Sequence, residues 1–164
     1  MSEAIRISFD ATQVVEVKGR ATQGRQFADR VSLALALDLI RRYECREWYW
    51  PILDAMDGLE GFARPARIGG EEQFKYAPLH PLWKVHYFTP QHVLYNIGAN
   101  WLIDKGGNKK LDALINNCPS NQIAHRFVIQ GFQDRAEHGL TGDWLIYAKH
   151  DGKNYYLGVA THLE

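Results

Sequence analysis

The stretch that most constrains this chain is residues 143–162, two apolar-rich runs separated by Asp151-Gly-Lys-Asn154. Asp-Gly between such runs closes a β-hairpin, because a tight turn needs positive φ, which aspartate tolerates and glycine adopts freely. Strand period then sorts the side chains by face. With an even-numbered loop, Trp144, Ile146, Ala148, Tyr155, Leu157 and Val159 share one face, and as the more apolar set they are expected to turn toward the core. The opposite face carries Asp143, Tyr147, Lys149, Tyr156 and His162, with Gly158 and Ala160 leaving a flat floor, a surface able to hold a ligand.

Upstream, Ile5, Ile7 and Phe9 alternate with Arg6 and Ser8 as a short strand, Asp10-Ala-Thr turns the chain, and Val14, Val15 and Val17 continue the β character. From Gln26 the pattern becomes helical: Phe27, Val31, Leu35 and Leu39 step by about four residues and face a core. That helix is expected to end near Trp50, because Pro51 disfavours helical geometry in the residue before it, and Trp48, Tyr49 and Trp50 are expected to pack its end. Pro51 opens a short helix through Met56, and residues 59–81 form a long Gly/Pro/charge-rich connection. Trp83, Val85 and Tyr87 alternate with Lys84, His86 and Phe88 as a strand. Thr89-Pro90 starts a helix that buries Val93, Leu94, Ile97 and Trp101, and further helices are expected over 109–116 and 121–137. The pattern predicts one α+β domain over residues 1–162: N-terminal helices packed on a small antiparallel sheet that ends in a C-terminal β-hairpin. Leu163-Glu164 reads as a cloning remnant.

Lysine plus arginine and aspartate plus glutamate number 19 each, so no global basic field draws the chain to nucleic acid or an anionic membrane. The start lacks a secretory signal and no stretch approaches the ~20 apolar residues of a membrane span, which predicts a cytoplasmic protein without a membrane partner. Cys45 and Cys118 have no Cys-x-x-Cys spacing, and none of the seven histidines has the helical spacing of a metal pair. No Gly-x-Ser-x-Gly and no phosphate-binding glycine loop occurs. Neither metal nor cofactor is expected.

If the strand at 83–87 joins the hairpin in one sheet, Lys84 and His86 come to the side of Tyr147, Lys149, Tyr156 and His162. These are the side-chain types of metal-free phosphodiester cleavage: an imidazole titrating near neutrality, lysines for the developing charge, and a tyrosine donor. Arg64 and Arg67, in the long connection beside Phe62 and Phe74, are candidates to clamp an RNA backbone. Helices followed by a small antiparallel sheet bearing His, Lys and Tyr resemble, over residues 82–162, the RelE/EndoU/barnase-type group of small ribonuclease toxins. The resemblance implies metal-independent RNA cleavage, with His86 or His162 as base and acid, Lys84 and Lys149 stabilising charge, and Tyr147 or Tyr156 as a further donor. The competing class is non-enzymatic. An aromatic-rich surface including Trp48, Trp50, Trp83, Trp101 and Trp144 suits a protein-binding module such as an immunity protein, a phage-encoded inhibitor or an adaptor.

Overall fold

A computed structural model describes residues 8–62, 70–138 and 142–161. The fold is α+β, with helices leading and a β-hairpin closing the chain. Helix α1 (Ala11–Ala21) begins at Asp10, whose carboxylate accepts from the Gln13 amide while the Gln13 side chain accepts from the Asp10 amide. That reciprocal capping box turns Val14, Val15 and Val17, read above as β, into helix, because it satisfies two otherwise orphaned donors. The proposed strand at residues 5–9 falls largely outside the described residues. Helix α2 (Leu33–Glu44) is capped by Ser32, later than the start near Gln26 that the periodicity predicts, with a single 3-10 turn at Ala28–Arg30 before it. Helix α3 (Trp50–Leu59) carries Pro51 in its first turn, as expected.

The sheet is antiparallel in the order β1 (Glu72–Gln73), β2 (Trp83–Tyr87), β3 (Asp143–His150) and β4 (Lys153–Ala160). Between β2 and β3 stands a helical insert of α4 (Val93–Gly98), a π turn at Ala99–Ile103, α5 (Gly107–Asn117) and α6 (Ser120–His138). The insert has its own small core of Ile97, Trp101 and Leu114 backed by Phe127 and Phe132. Trp101 is held there by its indole N–H, which donates to Phe127 O at 2.9 Å, and by close approach of Gly131. Leu94, expected inside, is exposed.

The main core joins α1–α3 to one face of the sheet through Phe27, Leu35, Leu39, Ile52, Met56, Val85 and Leu145. The parity of β2 is as its alternation predicts: Val85 and Tyr87 are buried, and Lys84 and His86 lie on the opposite face. The parity of the hairpin is the reverse of expectation. Leu145, Tyr147 and Tyr156 are buried against the helices, while Trp144, Ile146, Ala148 and Tyr155 are half-buried on the outer face. The turn is two residues long, with Asp151 at φ 49 and Gly152 at φ 70, and keeps the expected grouping of Tyr147 with Tyr156 and of Ala148 with Tyr155; what differs is which of the two faces meets the helices. A bulge shifts the register between Ile146 and Tyr147. Leu157 is thereby left unpaired, so that Ile146 faces Gly158 but Tyr147 faces Tyr156.

The buried phenols of Tyr147 and Tyr156 find carboxylate acceptors, whereas the Tyr87 hydroxyl is buried without a partner among the described residues. Tyr156 Oη donates to Glu60 Oε1 at 2.6 Å, and Glu60 receives Arg30 through two N–H groups at 2.8 and 2.5 Å. Arg30 and Glu60 side chains are each 12% exposed. Burial pushes the Glu60 carboxyl up, but hydrogen bonds from Arg30 and Tyr156 outweigh it and hold the group below the usual carboxylate range. A depressed folded-state value contributes stability above the unfolded value, about 4.3, that is lost as pH falls through the folded one. Glu60→Ala is therefore expected to lower stability at neutral pH by about 3 kcal/mol, since it strands the Arg30 charge. It should also flatten the loss of stability on acidification below about pH 4. Urea unfolding at neutral and acid pH checks both. An unchanged pH slope would show that Glu60 is not the group responsible.

Candidate functional site

The side chains proposed for phosphodiester cleavage are divided by the sheet. Lys84 and His86 lie on the outer face, where they pair with Ile146 and Trp144 of β3. Tyr147 and Tyr156 are buried on the inner face, and Lys149, two residues after Tyr147, sits at that face's rim. His162, Arg64 and Arg67 lie outside the described residues. The open face combining Lys84, His86, Tyr147, Lys149 and Tyr156 is thus not formed, because Tyr147 and Tyr156 are buried on the side of the sheet opposite Lys84 and His86.

The local bonding of these groups is equally specific. Trp144 Nε1 donates to His86 Nε2 at 3.0 Å and His86 Nδ1 donates to Gly142 O at 3.2 Å. Those partners select the neutral imidazole with its proton on Nδ1 and occupy both ring nitrogens. Lys84 Nζ lies 4.2 Å from the Trp144 ring centre and 3.3 Å from a Glu72 carboxylate oxygen. Lys149 Nζ is 2.5 Å from Glu71 and 4.3 Å from the Trp83 ring centre, and the Tyr147 hydroxyl donates to the same Glu71 carboxylate. Burial, then Glu71, raises Tyr147; burial, then Glu60, raises Tyr156. Neither phenol is poised to give up a proton near neutrality. Among the described residues no group of three His, Cys, Asp or Glu side chains is placed to hold a metal.

A different constellation stands at the junction of α1, α2 and α3. A cleft of about 280 Å³ is lined by Arg20, Gln23, Leu39, Ile40, Tyr43 and Tyr49. A row of three rings begins in its wall: Tyr43 meets Tyr49 edge-on at 5.5 Å, and Tyr49 lies against Trp50 at 5.0 Å. Tyr49 is buried and its hydroxyl accepts from Gln23 Nε2 at 3.2 Å, which anchors the row. Its neighbours are open: Tyr43 is 58%, Trp48 61% and Trp50 47% exposed. The expectation that Trp48, Tyr49 and Trp50 pack the end of α2 holds for Tyr49 alone. Among the other tryptophans, Trp101 is fully buried in the insert.

Helix ends explain how the loop presents these groups. Each of α1, α2 and α3 ends in a Schellman motif, in which the two residues after the C-cap donate backwards and the first adopts the left-handed region. At α3 that position is Gly61, with Gly61 N bonded to Gly58 O at 3.1 Å and Phe62 N to Asp57 O at 2.9 Å. At α1 it is Gln23, φ 54, and at α2 it is Arg46, φ 57. The α2 motif is completed by Arg46 N to Tyr43 O at 3.2 Å and Glu47 N to Arg42 O at 2.8 Å. A side chain in this region costs about 1 kcal/mol or more that glycine avoids. Gln23 bonds Tyr49. Arg46 makes no side-chain hydrogen bond or ion pair among the described residues, whereas Arg20, Arg25, Arg30, Arg41 and Arg42 each pair with a carboxylate. The sequence signal for the site was present in the run 43–50: a helix end without glycine, followed by three consecutive aromatic residues.

No protein-family model, no curated protein and no solved structure matches this chain. Arg46→Gly is expected to raise stability by about 0.5–1 kcal/mol, the relief of left-handed strain less the greater freedom of the unfolded glycine. Denaturant midpoints check this. A loss of similar size would mean that the fold itself holds the Arg46 side chain.

Proposed function

We propose that the chain is a non-enzymatic protein-binding module whose docking surface is the segment 43–50 with the cleft beside it. The observation that carries the reading is the exposure of Tyr43, Arg46, Trp48 and Trp50 within eight residues, in the segment whose Tyr43 and Tyr49 line a concave cleft. Tryptophan, tyrosine and arginine are the residues that dominate binding energy at protein interfaces, and rigid rings lose little entropy on contact. Solvent exposure of two tryptophans and a tyrosine is unfavourable in the isolated chain, and a partner that covers them removes apolar area from water. Charge supports a protein partner over RNA. The arginines of α1–α3 other than Arg46 are tied to carboxylates, so the helical face offers no stripe of free cations to follow a phosphate backbone.

No helix among the described residues is long and apolar enough to cross a membrane. A cytoplasmic setting accords with the unpaired thiols of exposed Cys45 and half-buried Cys118. The test is retention of proteins from an extract on the immobilised chain, compared with the Trp48→Ala, Trp50→Ala double variant. Loss of two hot-spot rings, about 2 kcal/mol each, predicts retention weakened by roughly several hundredfold with helical content unchanged. Retention indifferent to both substitutions would overturn the proposal. So would cleavage of labelled RNA that disappears in a His86→Ala, His162→Ala variant, which would restore the ribonuclease expectation.

A further inference from the structure

Resting on that reading of residues 43–50, we infer that the partner presents a carboxylate next to an apolar side chain, the carboxylate pairing with Arg46 and the apolar group entering the cleft that Tyr43 and Tyr49 help to line. Charge complementarity points to an acid. Around the loop, Arg20 is paired with Glu44, Arg41 with Asp38 and Glu47, and Arg42 with Asp38, which leaves Arg46 as the arginine of segment 41–47 without a carboxylate partner among the described residues. A guanidinium offers a planar fork of donors that a carboxylate accepts through two parallel bonds. A phosphate dianion fits less well, because Glu44 and Glu47 flank Arg46 in sequence and the other arginines nearby are already engaged.

The backbone supports the assignment independently. Where α3 ends on Gly61 at its left-handed position, α2 keeps Arg46 there in the same hydrogen-bonded motif, and no contact within the fold accounts for an arginine at that place. The left-handed residue also sits between Tyr43 and Trp48 in sequence, so the charge and the exposed rings belong to one segment. The apolar half of the partner is set by the floor of the cleft, Ala21, Leu39 and Ile40. The Arg20–Glu44 contact at the same cleft is an exposed pair at 3.4 Å, weak enough to yield to an entering side chain.

The experiment is selection of random linear peptides displayed on phage against the wild-type chain, against Arg46→Glu, and against the Trp48→Ala, Trp50→Ala variant. The expected peptides carry Asp or Glu beside Leu, Ile or Phe, bind Arg46→Glu at least tenfold more weakly, and are replaced by Lys- or Arg-bearing peptides when Arg46→Glu is the bait. Peptides that need Trp48 and Trp50 yet show no acidic position and bind Arg46→Glu equally well would overturn the acid assignment while leaving the docking surface standing. Peptides enriched equally on the tryptophan variant, or no enrichment on wild type over it, would overturn the docking surface itself.

Discussion

The Arg30–Glu60 pair, with Tyr156 bonded to it, decides which way the sheet faces. Arg30 also donates to Asn154 O at 2.8 Å, and Asn154 Nδ2 donates to Leu59 O at 3.3 Å, so one cluster ties the turn before α2, the end of α3 and strand β4. Segment 30–32 continues the tie: Ser32 N donates to Tyr156 O at 2.8 Å and its hydroxyl to Leu157 O at 2.6 Å. These bonds occupy the outer edge of β4 around its bulge. With β4 pinned there, Tyr156 must point inward, and Tyr147, its cross-strand partner, follows. A buried phenol is costly without an acceptor, and Glu60 and Glu71 supply one each to Tyr156 and Tyr147.

This is also why the face of the hairpin was not legible from residue pattern. Both faces of β3 are apolar by composition, Trp144 and Ile146 on one and Leu145 and Tyr147 on the other, so hydrophobicity alone favours the wrong set. What settles the matter is a pair of ionised partners on α3 and the β1 segment, far away in sequence, together with a bulge that strand alternation does not announce. Local signals fared better. Trp83–Tyr87 alternates as read, Thr89-Pro90 opens the insert and Pro51 opens α3. Val14, Val15 and Val17 misled because β-branched residues are only weakly unfavourable in helices, and the Asp10–Gln13 box outweighs that preference.

The same division holds for the candidate site. Lys84, His86, Lys149, Tyr147 and Tyr156 do gather on one small sheet, as the pattern suggested, but the sheet separates them and each is engaged with an aromatic ring, a carboxylate or a backbone group. The surface that remains chemically unsatisfied is elsewhere, where α2 ends without glycine and α3 begins. There the rings of Tyr43, Tyr49 and Trp50 are held in a row by one buried member, and an arginine occupies a backbone position that suits it poorly. With the other arginines of α1–α3 paired to carboxylates, this exposed aromatic segment and its Arg46 are the surface on which the proposed recognition of another protein rests.

The most direct measurement is an absorbance-monitored alkaline titration of tyrosine ionisation in the native protein, compared with a Tyr147→Phe, Tyr156→Phe variant. The account predicts that these two phenols ionise only as the chain unfolds, because burial and their carboxylate partners raise both, so the native-state titration of the variant overlays that of the wild type. If the variant instead lacks two phenols that titrate reversibly near the ordinary tyrosine value of about 10, both side chains face solvent and the inward-facing hairpin is contradicted.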